Sequence, residues 1–270
     1  STKVCSYVLS TFCGVHQFQF ELIMDKKKIN RTLFKYRECN DYSFKIFDER
    51  ELWFSKPESL NDPFDCQLDF EASLRHALSK VSMSKLDKVD DIIKEASDYV
   101  KSIGILSLSR TKRNILMWSH YAEEHKGFCI GFKESNLLSS IETIEQHDVT
   151  YQSDLPFDEL LWALDAYDDA ESRIENQITS ESVREAFLKA LVATKFSNWK
   201  YEYETRMVSR NSGVYKFSSD CISQVIFGFK MSEEHKDRLF TTLSHSEWSH
   251  VKVYQASKSK DKYGIELNEI

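Results

Sequence analysis

Two glutamates two positions apart, Glu202 and Glu204, stand in the segment WKYEYETR. Read as a β-strand, the segment alternates its side chains: Trp199, Tyr201 and Tyr203 share one face, and Lys200, Glu202, Glu204 and Arg206 share the other. The two carboxylates then lie about 7 Å apart. If partly desolvated, their repulsion raises one pKa and suits that group to proton transfer. The plain alternative is a solvent-facing edge strand laced with cross-strand salt bridges.

A second group is NDPFD. Asn61 and Asp62 ahead of Pro63 favour a capped turn in which they bond their own backbone. Asp62 with Asp65 could instead bind a divalent cation through oxygen. A third group is MWSHYA, read as helix. Trp118, Tyr121 and Ala122 fall on one side of it, because positions three and four apart are neighbours. Trp118 and Tyr121 pack on a sheet in this reading, and His120 points elsewhere and can face a pocket. A lone helical His is more often a hydrogen-bonded structural residue. Tyr121 can stack on a flat ring or simply pack. The sequence has no G-x-G-x-x-G, no P-loop and no H-E-x-x-H, which argues against a Rossmann dehydrogenase, a P-loop nucleotidase and a zincin.

These groups need a scaffold, and 270 residues can bury a substantial core. With 41% hydrophobic and 29% charged residues the chain is globular rather than disordered. The net charge of −7 disfavours a non-specific duplex binder. Lys26-Lys27-Lys28 with Arg31 is the densest basic cluster and reads as a solvated turn. Six scattered cysteines without a CxxC pair predict neither structural zinc nor disulfides, and a reducing cytosol; Cys129 and Cys221 read as small core residues. The apolar stretch 4–15 is too short to span a bilayer and lacks signal-peptide features, so no membrane association is expected.

Residues 1–30 read as an N-terminal extension and 31–270 as a single domain. Strand patterns fall at LFKYR (33–37), ELWFS (51–55), GILSLS (104–109), GFCIGF (127–132), VTY (149–151), WKYEYETRMV (199–208), QVIFGF (224–229), HVKVYQA (250–256) and YGIEL (263–267). A helix is expected from Asn114 to Glu124, and helical inserts at about 70–102 and 156–196, the latter with a capping box from Ser182 to Glu185. Strand runs separated by helical blocks imply an α+β fold with a mixed, mostly antiparallel sheet core.

The ordered blocks FKYR, LWFSKPESLNDPFD, SLS, NILMWSHYAEEHKGFCIGF, VTYQSDLP, TKFSNWKYEYETR and ISQVIFGFKMS resemble one bacterial family, domain-of-unknown-function family 2971. Its members are often met near phage-defence or mobile-element genes. At a greater distance it is similar to ADP-ribosyltransferases. That resemblance implies an ADP-ribosyltransferase-like sheet and NAD as substrate, with no structural metal. Arg37 would bind the NAD pyrophosphate, as a guanidinium can do bidentately; a surface Arg at a strand end is the plain reading. Tyr36, Ser55, Asn61, Asp62, His120 and Tyr121 would complete the NAD site. Glu204 would stabilise the oxocarbenium-like ribosyl cation and Glu202 would position the acceptor. The acceptor would be a protein or nucleic acid, and an antitoxin or defence-system partner would fit that context. Two other classes stay open. One is a metal-dependent nuclease using Asp62, Asp65, Glu202 and Glu204. The other is a non-catalytic sensor or partner-binding module of a defence system that presents its aromatic surface.

Overall fold

The computed structural model describes residues 31–62, 64–66, 98–141, 145–154, 156 and 189–270. The extension 1–30, most of both helical inserts and the Ser182 capping box lie outside these residues, as do Lys26–Lys28 and Pro63.

The chain divides into two compact units. One comprises Lys27–Ser55, Gly104–Val149 and Asn198–Ile270. The other comprises Ser1–Lys26, Lys56–Ile103 and Thr150–Ser197, and both inserts read from the sequence fall within its stretches.

The first unit holds a mixed, mostly antiparallel eight-stranded sheet. Its strands are β1 (Thr32–Arg37), β3 (Gly104–Ser109), β4 (Phe128–Lys133), β5 (Glu145–Asp148), β8 (Glu204–Ser209), β10 (Ile222–Phe227), β11 (Lys252–Lys258) and β12 (Ile265–Glu269). Their order is β12-β11-β10-β4-β1-β3-β8-β5, and only β10 with β11 runs parallel. β2 (Glu51–Phe54) and β9 (Gly213–Lys216) form a separate antiparallel ribbon. The α+β class and the mostly antiparallel sheet therefore stand as read from the sequence.

Central strands are apolar on both faces. FCIGFK of β4 buries every residue but the last. On one face Leu33, Leu106, Ile130, Phe132, Met207 and Val225 join a large core with Phe44 and Phe47 of helix α1 (Asp41–Asp48). α1 starts where Asn40 accepts a hydrogen bond from the Ser43 amide at 2.9 Å, satisfying one of the free N–H groups of its first turn. On the other face Phe34, Tyr36, Cys129 and Ile226 pack against Met117, Trp118 and Ala122 of α2 (Ile115–Tyr121). Asn114 caps α2 through the amides of Leu116 and Met117. Two further helices, α3 (Glu134–Ser140) and α4 (Glu233–Leu243), follow β4 and β10.

The chain leaves α2 through three successive left-handed residues, Glu123, Glu124 and His125, with φ of 48°, 53° and 73°. Gly228 lets this turn close: a Cβ there would sit 2.1 Å from the His125 carbonyl oxygen.

The sheet has one seam. β1 and β3 meet at a single residue pair, Phe34 with Ser109. Beyond it the strands part. The Ser107 carbonyl accepts from Lys35 Nζ at 2.9 Å, and Ile105 exchanges both backbone hydrogen bonds with Ser55, at 2.8 and 2.9 Å.

In the second unit β6 (Thr150–Gln152) and β7 (Thr194–Phe196) pair in parallel. No helix among the described residues is long and apolar enough to cross a membrane.

Candidate active site

The segment read as one strand over 199–208 is not one. Ser197–Glu202 winds as a 3-10 helix, Tyr203 takes a left-handed φ of 47°, and β8 begins only at Glu204. The alternation of aromatic and charged residues fits a period of two, but tertiary donors override it. Three successive carbonyls are taken by the stretch that links β3 to α2. Tyr201 accepts from Asn114 Nδ2 at 2.9 Å, Glu202 from Ser109 Oγ at 2.5 Å, and Tyr203 from the Arg110 amide at 2.9 Å. A backbone satisfied this way has no need of a ladder partner.

Both glutamates are buried as a result, each 4% exposed, and neither lies on a solvated edge. Tyr121, the last residue of α2, donates its hydroxyl hydrogen bond to Glu202 Oε1. Glu204 is gripped at both oxygens by Arg206, with Nε to Oε1 at 2.8 Å and Nη2 to Oε2 at 3.1 Å. Arg206 is itself wholly buried. Such a two-point guanidinium–carboxylate pair fixes the carboxylate in plane as well as in charge. Register carries the polar row further: Arg206 stands opposite Ser107 on one side and His147 on the other. His147 is buried and pairs with Glu145 at 2.6 Å.

A row of aromatic rings starts at Tyr121, which bonds the Glu202 carboxylate and whose ring lies 6.3 Å from that of His120. The His120 ring lies 5.9 Å from that of Tyr201, which lies 6.0 Å from that of Trp199. His120 and Tyr203 are exposed, and Tyr201 and Trp199 half-buried.

At the far end of β5, Asp148 gathers Arg31 at 2.8 Å, Arg110 at 2.5 Å and the Thr205 hydroxyl at 2.6 Å. Burial pushes this carboxyl up. The hydrogen bonds from Arg31 and Thr205 and the charges of Arg31 and Arg110 outweigh burial and hold it below the usual carboxylate range.

The expected site residues thus separate. Glu202, Glu204, Tyr121 and His120 come together through α2 and the start of β8. Tyr36 belongs to the core: its hydroxyl donates to the Thr111 carbonyl at 2.8 Å, its ring stands edge-on to Trp118, and burial raises its pKa. Arg37 does not join Glu204. Phe34 pairs with Ser109, and Ser109 with Glu204, so those three share a face. Arg37, three residues on from Phe34, points to the other face. Ser55 bonds Ile105, four residues along β3 from Ser109, roughly 13 Å away. Asn61 and Asp62 lie in the other unit. There Asp62 is buried, accepts from the Phe64 amide at 3.0 Å and closes a turn to Asp65, which faces Lys195 at 3.5 Å. The capped-turn reading of NDPFD is the one the geometry follows. With Asp65 beside a lysine and Glu204 held by an arginine, these carboxylates of the nuclease reading already have cationic partners. Among the described residues no group of three or more His, Cys, Asp or Glu could hold a metal ion.

Sequence reasoning missed four residues in and around this region. Ser109 and the Glu145–His147 pair carry no pattern that marks them. Lys35 does: it shares a strand face with Arg37 within FKYR, a spacing visible in the sequence.

No curated protein and no solved structure matches the chain. A family match runs from Met117 to Met207, and so spans both Tyr121 and the two glutamates. Residues 117–207 match the model of the family described as "Protein of unknown function (DUF2971)".

Proposed function

We propose that the chain is an NAD-consuming enzyme of the ADP-ribosyl-transfer type, acting on a macromolecular acceptor. The observation that carries this reading is a buried Glu202 carboxylate held by Tyr121 at the head of a row of aromatic rings. Breaking the glycosidic bond of NAD sends the bonding electron pair out with nicotinamide and leaves positive charge on the ribose. A fixed carboxylate stabilises that charge more than a mobile one does, because its dipole environment is already organised. Flat rings such as nicotinamide or adenine suit a row built from Trp199, Tyr201 and His120. The acceptor's nucleophilic atom then bonds to the ribose carbon and gives its proton to a neighbouring base.

The roles differ from those the resemblance implies. Glu202 is the carboxylate at the head of this row and takes the charge-stabilising role. Tyr121 positions it, while Glu204 is held at both oxygens by Arg206.

The test is nicotinamide release from NAD, measured with and without fractionated cell lysate, in parallel with acceptor labelling. Glu202→Gln keeps shape and removes charge; the rate should fall by about 100-fold or more, the scale of one preorganised electrostatic contact. Circular dichroism shows whether the variant is folded. Wild-type protein that releases no nicotinamide with any fraction, or a folded Glu202→Gln variant with full activity, overturns the proposal.

A further inference from the structure

A second cluster lies on the opposite face of β1 and takes no part in the proposed NAD chemistry. Lys35 and Arg37 stand two residues apart, so they share one strand face at a spacing of about 7 Å. Both are half-buried. Lys35 Nζ donates to the Ser107 carbonyl at 2.9 Å, and Arg37 Nε donates to Ser43 Oγ at 3.1 Å. Both acceptors are neutral. Among the described residues neither cation has a carboxylate within ion-pair distance, in contrast to Arg31, Arg110 and Arg206.

Their position is unusual as well. They flank the seam where β1 and β3 part, so the amine reaches across an opening in the sheet rather than over a closed ladder. Enough protein surrounds Lys35 to lower its pKa to about 7: burial acts first, then the positive charge of Arg37, while Glu204 pulls the other way. Burial also lowers the pKa of Arg37, opposed by the charge of Glu38. Lys35 and Arg37 each keep part of their side-chain surface accessible. Two cations with neutral partners favour an anion there.

We propose that Lys35 is a nucleophilic amine that condenses with the carbonyl group of a small aldehyde or ketone whose carboxylate or phosphate pairs with Arg37. The Nζ lone pair forms the new bond to the carbonyl carbon as the C=O π bond opens. The oxygen takes up the proton that nitrogen gives up. The carbinolamine then expels water and leaves an imine, with no change of oxidation state. At pH 7 an amine with a pKa near 7 is about half neutral, on the order of a thousandfold more than an ordinary lysine. Arg37 supplies a planar fork for the oxyanion and keeps the neighbouring amine short of its proton.

The experiment uses the full chain and pyridoxal 5′-phosphate as probe, an aldehyde that carries a phosphate. Protein is mixed with the probe at pH 7, reduced with borohydride and mapped by peptide mass spectrometry. Pyridoxal, which lacks the phosphate, runs in parallel, as does pyridoxal 5′-phosphate with excess inorganic phosphate. The expected result is one dominant label, on Lys35. It should form about tenfold faster with the phosphate ester than with pyridoxal, and be suppressed by inorganic phosphate, as a charge-assisted contact implies. Arg37→Gln should bring the two aldehydes to similar rates while Lys35 still labels. Label spread evenly over exposed lysines such as Lys126, Lys252 and Lys258, with Lys35 no more reactive than they are, overturns the proposal. So does an Arg37→Gln protein with an unchanged preference for the phosphate ester. The wild-type peptide map decides the first point even if a variant fails to fold. Nicotinamide release is measured separately, so the imine and the NAD chemistry stand or fall independently.

Discussion

The two faces of the sheet around β1, β3 and β8 treat buried charge in opposite ways. On the face that carries Glu204, each carboxylate has a donor that fixes it: Arg206 holds Glu204, His147 bonds Glu145, and the Tyr121 hydroxyl bonds Glu202. On the other face Lys35 and Arg37 stand side by side, bonded to a carbonyl and a hydroxyl. Matched groups fix geometry, and removing one partner leaves a buried charge that nothing offsets. Unmatched like charges do the reverse: they destabilise the empty protein and favour whatever neutralises them. A site that must hold a substrate's charge in place and a site that must attract a charged ligand are expected to differ in this way.

The largest expected effect breaks the matched side. Arg206→Met leaves the Glu204 carboxylate buried without its two-point partner, and stability should fall by about 3–5 kcal/mol. The Glu204→Leu, Arg206→Met double variant should recover most of that loss. Urea unfolding of both gives the answer, and a single-variant loss under about 1 kcal/mol would mean that the pair is not desolvated as described. Next in size is the support of Tyr121. Asn114 caps α2 and also holds the Tyr201 carbonyl, so Asn114→Ala should cost about 1–2 kcal/mol and weaken the Tyr121 contact to Glu202. A thermal melt together with the nicotinamide assay checks both consequences.

The smallest effect sharpens the comparison from the unmatched side. Lys35→Met removes a cation that the fold holds below its normal pKa, so it should leave stability unchanged or raise it. The pH dependence gives the sign. Folding lowers the Lys35 pKa to about 7 from an unfolded value near 10.5. The unfolded chain therefore binds the extra proton between those values, and wild-type stability from this group rises across that window. Its cost is fully present below pH 7 and fades toward pH 10.5. The advantage of Lys35→Met should accordingly shrink between about pH 7 and pH 10, in unfolding curves recorded at each. An advantage that grows with pH would contradict the assignment.

Much of the scaffold was legible because local pattern and tertiary environment agree there. GILSLS forms β3 over the expected residues, and GFCIGF forms β4 shifted by one. Asn114 marks the start of α2 because its side chain supplies the acceptor that the first turn lacks. Cys129 and Cys221 are buried thiols, as their apolar neighbours suggest. The failures fall where side chains from elsewhere replace the sheet ladder. WKYEYETR alternates like a strand, yet Asn114, Ser109 and Arg110 take its carbonyls and wind it into a 3-10 turn. Its glutamates were found for a reason that the structure replaces: they gather not by strand alternation but because Tyr121 and Arg206 hold them. β5 went unread because EQHD has little apolar signal; its burial comes with ion pairs, which leave no periodic trace. Arg37 was assigned by its order in the chain, and order does not tell which face of a strand a residue occupies.

The single pair that joins β1 to β3 has a consequence for motion. A strand boundary closed along its length opens only when many hydrogen bonds break together. One closed at Phe34 and Ser109 alone separates for the loss of very few. The amides of β4, bonded to β1 along six residue pairs, should therefore resist hydrogen exchange far longer than those bordering the seam. The eight strands then behave as two panels sharing one stitch, with Lys35 reaching from one panel to the other.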